Sequence, residues 1–179
     1  FFTEMRGRFE LKEIEYLTPQ QAIMYLGTKI SMTERDGKTL ITVSQVDDIR
    51  EFLIEHEAWG GRQNTAPMPN KEDIYADDEL LTPAEHKMYR SIVGSMNWFA
   101  NRTRYDISHS LSRLSQHLEK PTKGCMAAAR RVMSYLAGTV DMTLTADITA
   151  GDDVWDQFVD SDHAGDRKSP TGTRSHTGV

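Results

Sequence analysis

The alternation of apolar and polar positions divides the chain into strand-like ends and a helical middle. The opening run, Phe1-Phe2-Thr3-Glu4-Met5-Arg6-Gly7, has apolar positions that predict a short amphipathic helix ending near Gly7, followed by an extended segment to Thr18. Ala22 to Ile30 and Thr39 to Val43 are β-prone runs separated by a polar turn. That turn contains Asp36-Gly37, a dipeptide suited to left-handed backbone, so a β-hairpin is expected. Val46, Ile49, Phe52 and Leu53 then recur at helical spacing. With Ser44 as N-cap and Asp47 three residues on, they predict a helix from Gln45 to about Glu57, stopped by Trp59-Gly60-Gly61. Arg62 to Leu81 carries Pro67, Pro69 and no period, and reads as a long connecting loop.

Thr82-Pro83-Ala84-Glu85 is a strong helix start: a capping Thr, a Pro where the missing N–H is harmless, and Glu at the third helical position. Met88, Ile92, Met96 and Phe99 carry that helix inward-facing to about Ala100. Gly94 lies inside it at a cost of about 1 kcal/mol against Ala, which implies close packing of a neighbour. Ile107, Leu111, Leu114 and Leu118 predict a further helix after Asp106, ended by Pro121. Met126 to Ala137 predicts another, with Ala128, Ala129, Val132 and Leu136 inward, Arg130 and Arg131 outward, and Gly138 as C-cap. Together these outline a helical bundle. Beyond Thr139 the pattern returns to strands, Met142 to Thr145 and then Trp155 to Val159, the latter delivering Asp160 at its end.

Length and composition alter this picture little, whereas charge alters it more. A chain of 179 residues with 38% hydrophobic content can bury a sizeable core. No run approaches the roughly 20 apolar residues of a membrane span, so no membrane partner is expected. The start at Phe1 reads as an excised piece, and the single Cys125 reads as a small helix residue. The net charge is −6. From His86 to Gly138, however, nine lysines and arginines face two acids, a local +7 that leaves −13 for the remainder. The stretch from Tyr89 to Thr139 is therefore the part suited to a polyanion, although scattered cations on a solvated helix face give the same count.

The sharpest cluster of chemistry-bearing residues is Asp160-Ser161-Asp162-His163-Ala164-Gly165-Asp166. Carboxylates at a strand end can hold Mg²⁺ together with water and phosphate oxygens, and a solvated acidic loop is the plainer reading. Tyr75-Ala76-Asp77-Asp78 and Gln45-Val46-Asp47-Asp48 imitate a polymerase Y-x-D-D string. Neither stands on the apolar hairpin turn that such a metal site needs. The six histidines lack zinc-ligand spacing, and no phosphate loop or nucleophile elbow is present. The methionine and aromatic positions of the helices read as core.

An ordered series of motifs resembles the Pol polyprotein of copia-type LTR retrotransposons, downstream of the polymerase's catalytic hairpin. The series runs through Arg8-Phe9-Glu10-Leu11-Lys12, Tyr25-Leu26-Gly27-Thr28-Lys29-Ile30, Val43-Ser44-Gln45, Pro67, Tyr89-Arg90-Ser91-Ile92-Val93-Gly94-Ser95 and Thr103-Arg104-Tyr105-Asp106-Ile107. It continues with Leu114-Ser115, the run from Ala128 to Thr139, and Val159 to Asp166. Tyr105 stands where the family usually has Pro, and His163 where it usually has Trp. The resemblance implies an α+β fragment in three parts. Residues 1–43 would end a palm with a primer-grip-like hairpin, 44–140 would be thumb and connection, and 141–179 would begin an RNase H-like domain. Met24, Tyr25, Leu26 and Gly27 would lie near the primer terminus. Asp160 is similar to the first metal-binding aspartate of RNase H, implying Mg²⁺ in the complete enzyme.

The implied partners are an RNA–DNA hybrid or primer–template and the other parts of the polyprotein, in an intracellular setting. A basic thumb surface meets such a hybrid through phosphates. On that basis Arg130 and Arg131 are the leading phosphate candidates, joined by Lys123, Arg102 and Arg104. The alternative is a degenerate or co-opted remnant serving as a non-catalytic interaction module.

Overall fold

The structure, a computed structural model, describes Gly7, Phe9, residues 15–61, 63–68 and 79–149, together with the backbone of 161–166 and 174–177. The expected amphipathic helix at the start, the Trp155–Val159 strand, Asp160 and the Tyr75–Asp78 string lie outside the described residues.

Asp36-Gly37 forms the expected tight turn. Strands β2 (Thr28–Arg35) and β3 (Lys38–Ser44) pair antiparallel with Arg35 opposite Lys38, and Asp36 and Gly37 take φ of 53° and 75°. The Ala22–Ile30 run is not one strand, however. It breaks at Leu26-Gly27, where φ is again positive (48° and 73°), into β1 (Ile23–Tyr25) and β2, with Tyr25 opposite Thr28. The Thr28 hydroxyl donates to the Tyr25 carbonyl at 2.6 Å and closes this second turn. A fourth strand, β4 (Leu144–Asp147), adds to the far edge of β3. It is held there by the Lys38–Asp147 ion pair at 3.1 Å and by backbone and hydroxyl bonds between Thr39 and residues 148–149. The antiparallel order is therefore β1-β2-β3-β4, with the helices inserted between β3 and β4.

The core is helical. Helices α1 (Val46–Glu55), α2 (Pro83–Ala100), α3 (Ser108–Ser115, entered through a 3₁₀ turn at Tyr105–Ile107) and α4 (Lys123–Gly138) bury one continuous apolar cluster. At its centre are Leu53, Val93, Met96, Ile107, Leu114, Ala129 and Val132. Tyr89 is fully buried and its hydroxyl donates to the Leu114 carbonyl at 2.8 Å; burial pushes its phenol well above the ordinary value. Buried Cys125 lies beneath the Thr122 cap of α4, whose hydroxyl accepts from the Cys125 N–H.

The Thr82/Glu85 capping box is present in both halves. Glu85 is held below the usual carboxylate range by hydrogen bonds from the Thr82 hydroxyl and N–H, with the charges of Lys123 and Arg130 adding to it. At α1 the cap is Gln45 rather than Ser44, whose hydroxyl accepts from the Val46 N–H. Helical spacing groups Met88 with the inward positions, but it is 48% exposed; the buried stripe of α2 runs instead through Tyr89, Ile92, Val93, Met96 and Phe99. The helix α4 is capped by Thr139, and Gly138 serves a different end: a Cβ there would stand 3.1 Å from Gln63 Cβ. Gly94 has no such neighbour, because a Cβ on it would meet nothing within 4 Å. Its helix cost is therefore uncompensated by packing. Gly94→Ala should stabilise the fold by about 1 kcal/mol, a rise of about 2–4 °C in melting midpoint by calorimetry; an unchanged or lower midpoint would contradict this.

The second sheet pairs β5 (Ser161–Asp166) with β6 (Arg174–Thr177), antiparallel, with an irregularity between Asp162 and Asp166. The Asp-rich run expected as a loop is thus largely strand.

Candidate nucleic-acid interface

The basic residues of the central stretch, which the sequence treats as one block, have three different fates. Arg104 is interior. Its guanidinium is 1% exposed and grips Asp106 in a fork, Nε to Oδ1 at 3.0 Å and Nη2 to Oδ2 at 2.7 Å. It also donates to the Thr139 carbonyl at 3.0 Å and hydroxyl at 2.6 Å, and it faces the Tyr135 ring at 5.6 Å. The local backbone makes this possible, since the N–H groups of Arg102, Thr103 and Arg104 all return to the Phe99 carbonyl and curl the chain inward after α2. Burial pushes the Asp106 carboxyl up, but hydrogen bonds from Arg104 and Tyr135 and the Arg104 charge outweigh it and hold the acid below its usual range. Arg104, expected at a phosphate, is thereby spent on the fold and leaves the candidate surface.

Two cations of α4, Lys123 and Arg130, are accessible but have acidic company. Lys123 pairs with Glu79 at 2.6 Å. Arg130 is exposed and lines a 540 Å³ cavity whose wall includes Glu55, His56 and Glu57 from the end of α1, over an apolar floor of Ile92 and Met133. It also acts on Glu85. Arg131 is half-buried rather than fully outward. A polyanion approaching this face would meet carboxylates along with the arginines, which lowers the field it experiences.

The third location brings together residues that the sequence holds far apart. The β1–β2 turn projects Met24, Tyr25 and Leu26, which are 64%, 60% and 58% exposed. Behind them Gly27 lies against α2, where a Cβ would come within 3.3 Å of the Trp98 indole. Trp98 is 43% exposed, and the Arg102 guanidinium stacks over its ring at 4.3 Å. Tyr25, Leu26, Gly27 and Arg102 thus share one face, and Trp98, expected in the core, is the residue that joins them. One available signal was its offset: Trp98 falls two residues after Met96, off the buried stripe of α2. Gln45, 3% exposed, fixes this end of the molecule by accepting from the Thr103 hydroxyl at 3.0 Å. The string Gln45–Asp48 opens α1 and is no hairpin turn. Among the described residues no three His, Cys, Asp or Glu side chains converge on a metal-sized point. None of the described helices is long and apolar enough to cross a membrane.

The chain is 45% identical over 74 residues to the retrovirus-related Pol polyprotein from transposon RE1 of Arabidopsis thaliana, which covers 41% of this chain and 5% of that protein. It is 42% identical over 71 residues to the corresponding polyprotein from transposon RE2 of the same plant, covering 40% of this chain and 5% of that protein. Similarity to the retrovirus-related Pol polyprotein from transposon TNT 1-94 of Nicotiana tabacum extends over 178 residues at 37% identity, covering 94% of this chain and 13% of that protein. These relatives bear out the resemblance to copia-type Pol polyproteins, of which the chain spans a small part. No family model matches, and no solved structure matches.

The Arg104 network yields a stability prediction. Asp106→Asn leaves a buried guanidinium without its counter-charge and should cost about 3 kcal/mol in denaturant unfolding. Because the folded carboxyl titrates below its ordinary range, it contributes stability above that range and loses it as the pH falls through the folded value. The variant's stability should therefore fall less steeply than that of the parent on acidification. Equal slopes would contradict this assignment.

Proposed function

We propose that this chain is the part of a retrotransposon reverse transcriptase that holds RNA–DNA primer–template, with polymerase chemistry supplied by other parts of the polyprotein. The observation that carries this reading is the face formed by the β1–β2 turn and the end of α2. There an exposed apolar tip stands beside a cation that makes no ion pair among the described residues. Apolar groups beside an arginine suit a sugar–phosphate strand: the cation meets phosphate, and the apolar surface meets sugar and base edges. Asp47 and Asp48 line a small cleft together with Met24, Gly27 and Lys29, and Asp47 is engaged by Arg50 at 3.8 Å. The Pol polyprotein relatives supply the context in which such a surface has a use.

The RNase H portion of the reading rests on sequence alone, with Asp160 standing immediately before β5. The described residues do not assemble a Mg²⁺ donor set, so no metal-dependent step is assigned to them.

The test is fluorescence anisotropy of a labelled RNA–DNA hybrid titrated with this chain at several salt concentrations. Binding should weaken linearly in log–log form, by about 0.9 for each phosphate neutralised. Arg102→Ala should weaken it more than the paired change Arg130→Ala with Arg131→Ala. No binding, or affinity independent of salt, would overturn the reading and favour a protein-interaction module.

A further inference from the structure

The two tight turns of the meander solve the same geometric problem with different residues. Each has two central residues, both at positive φ. At residues 36–37 the chain uses Asp-Gly, the pairing that this conformation favours. At residues 26–27 it uses Leu-Gly, placing a large apolar side chain in left-handed backbone and leaving it 58% exposed. Neither burial nor backbone preference accounts for Leu26. The turn it shapes is the one whose glycine lies on Trp98, and Trp98 in turn bears the Arg102 guanidinium.

We propose that Trp98 is a positioning residue for nucleic-acid binding: clamped by Gly27, its indole holds the Arg102 guanidinium flat for one phosphate of a bound strand, with Leu26 against the adjoining sugar. The geometry separates the roles. With its carbon 4.3 Å from the ring centroid, a guanidinium lying flat on the indole has one face covered, its rotation limited and its in-plane N–H edge left as the donor surface. A preorganised planar fork meets two phosphate oxygens at once, which a lysine cannot do. Gly27 meets the demand of its φ of 73°, and a Cβ there would stand 3.3 Å from the indole, so that the ring would have to give by a few tenths of an ångström. This inference rests on the nucleic-acid reading above and names the side chains that carry one of its contacts.

The experiment uses the same labelled RNA–DNA hybrid, an all-DNA duplex as a second probe, and calorimetric melting of every variant. Arg102→Ala should reduce the salt slope by about 0.9. Trp98→Leu should weaken hybrid binding severalfold, whereas Trp98→Phe, which keeps a ring under the guanidinium, should retain most of the affinity. Arg102→Lys should fail to restore it. Leu26→Asn gives the sharpest contrast: it should raise the melting midpoint by about 2–4 °C while weakening binding. A merely structural role would give the first effect without the second. If the parent chain binds the hybrid with the expected salt dependence while Trp98→Leu and Leu26→Asn bind as it does, this inference falls and the broader reading stands. If the parent chain binds neither probe, both fall. Equal loss on hybrid and duplex assigns the contact to the phosphate backbone in general; loss on the hybrid alone assigns it to the hybrid's groove geometry.

Discussion

A single buried guanidinium sets the arrangement of the helical half. Arg104 stands just past the end of α2, and its donors reach Asp106 at the entrance to α3 and Thr139 at the exit of α4. Three chain segments that hydrophobic packing alone would leave free to slide are thereby fixed in relative height. Burying such a charge is unfavourable unless every donor finds an acceptor in good geometry, so the fork and the two Thr139 contacts are conditions for the fold rather than additions to it. Tyr135 completes the enclosure, its ring near the guanidinium and its hydroxyl on Asp106.

This use of Arg104 changes how the charge of the chain is read. A local excess of +7 over residues 86–138 suggests a uniformly basic surface. In three dimensions one of those cations is internal, Lys123 has Glu79, and Arg130 faces a wall built by Glu55 and Glu57 from a different element. Net charge along a sequence counts residues, whereas the field at a surface depends on what the fold sets beside them. The cation and exposed apolar groups around Arg102 are brought together by two elements about 70 residues apart in sequence and have no local signature.

What could be read from the sequence was what local chemistry decides. Asp36-Gly37, Thr82 with Glu85, and the buried faces of α3 and α4 each follow from residues within one or two turns of each other. The misread features depend on distant partners. Leu26-Gly27 does not announce a turn, because Leu disfavours the conformation it adopts there. A glycine inside a helix implies a close neighbour, yet a Cβ on Gly94 would meet none, while Gly138, placed like a cap, has Gln63 against it. An aromatic on a core helix reads as buried, yet the angular position of Trp98 on α2 turns it toward Gly27. The pairing of β4 with β3 could not be inferred from either strand, since both present alternating patterns that fit many partners.

That pairing bears on the order in which the molecule can assemble. Thr42 and Thr145, whose hydroxyls lie 3.3 Å apart, are 103 positions distant in the chain, and the whole helical cluster lies between them. The β1–β2–β3 meander closes through two-residue turns and can form early, with the outer edge of β3 unpaired. Its last strand is delivered only once α4 has been brought to the Arg104 anchor at Thr139, five residues before Leu144. Until then β3 presents open backbone donors and acceptors to any other strand, so helix docking also acts as the step that protects the sheet from pairing with a second chain.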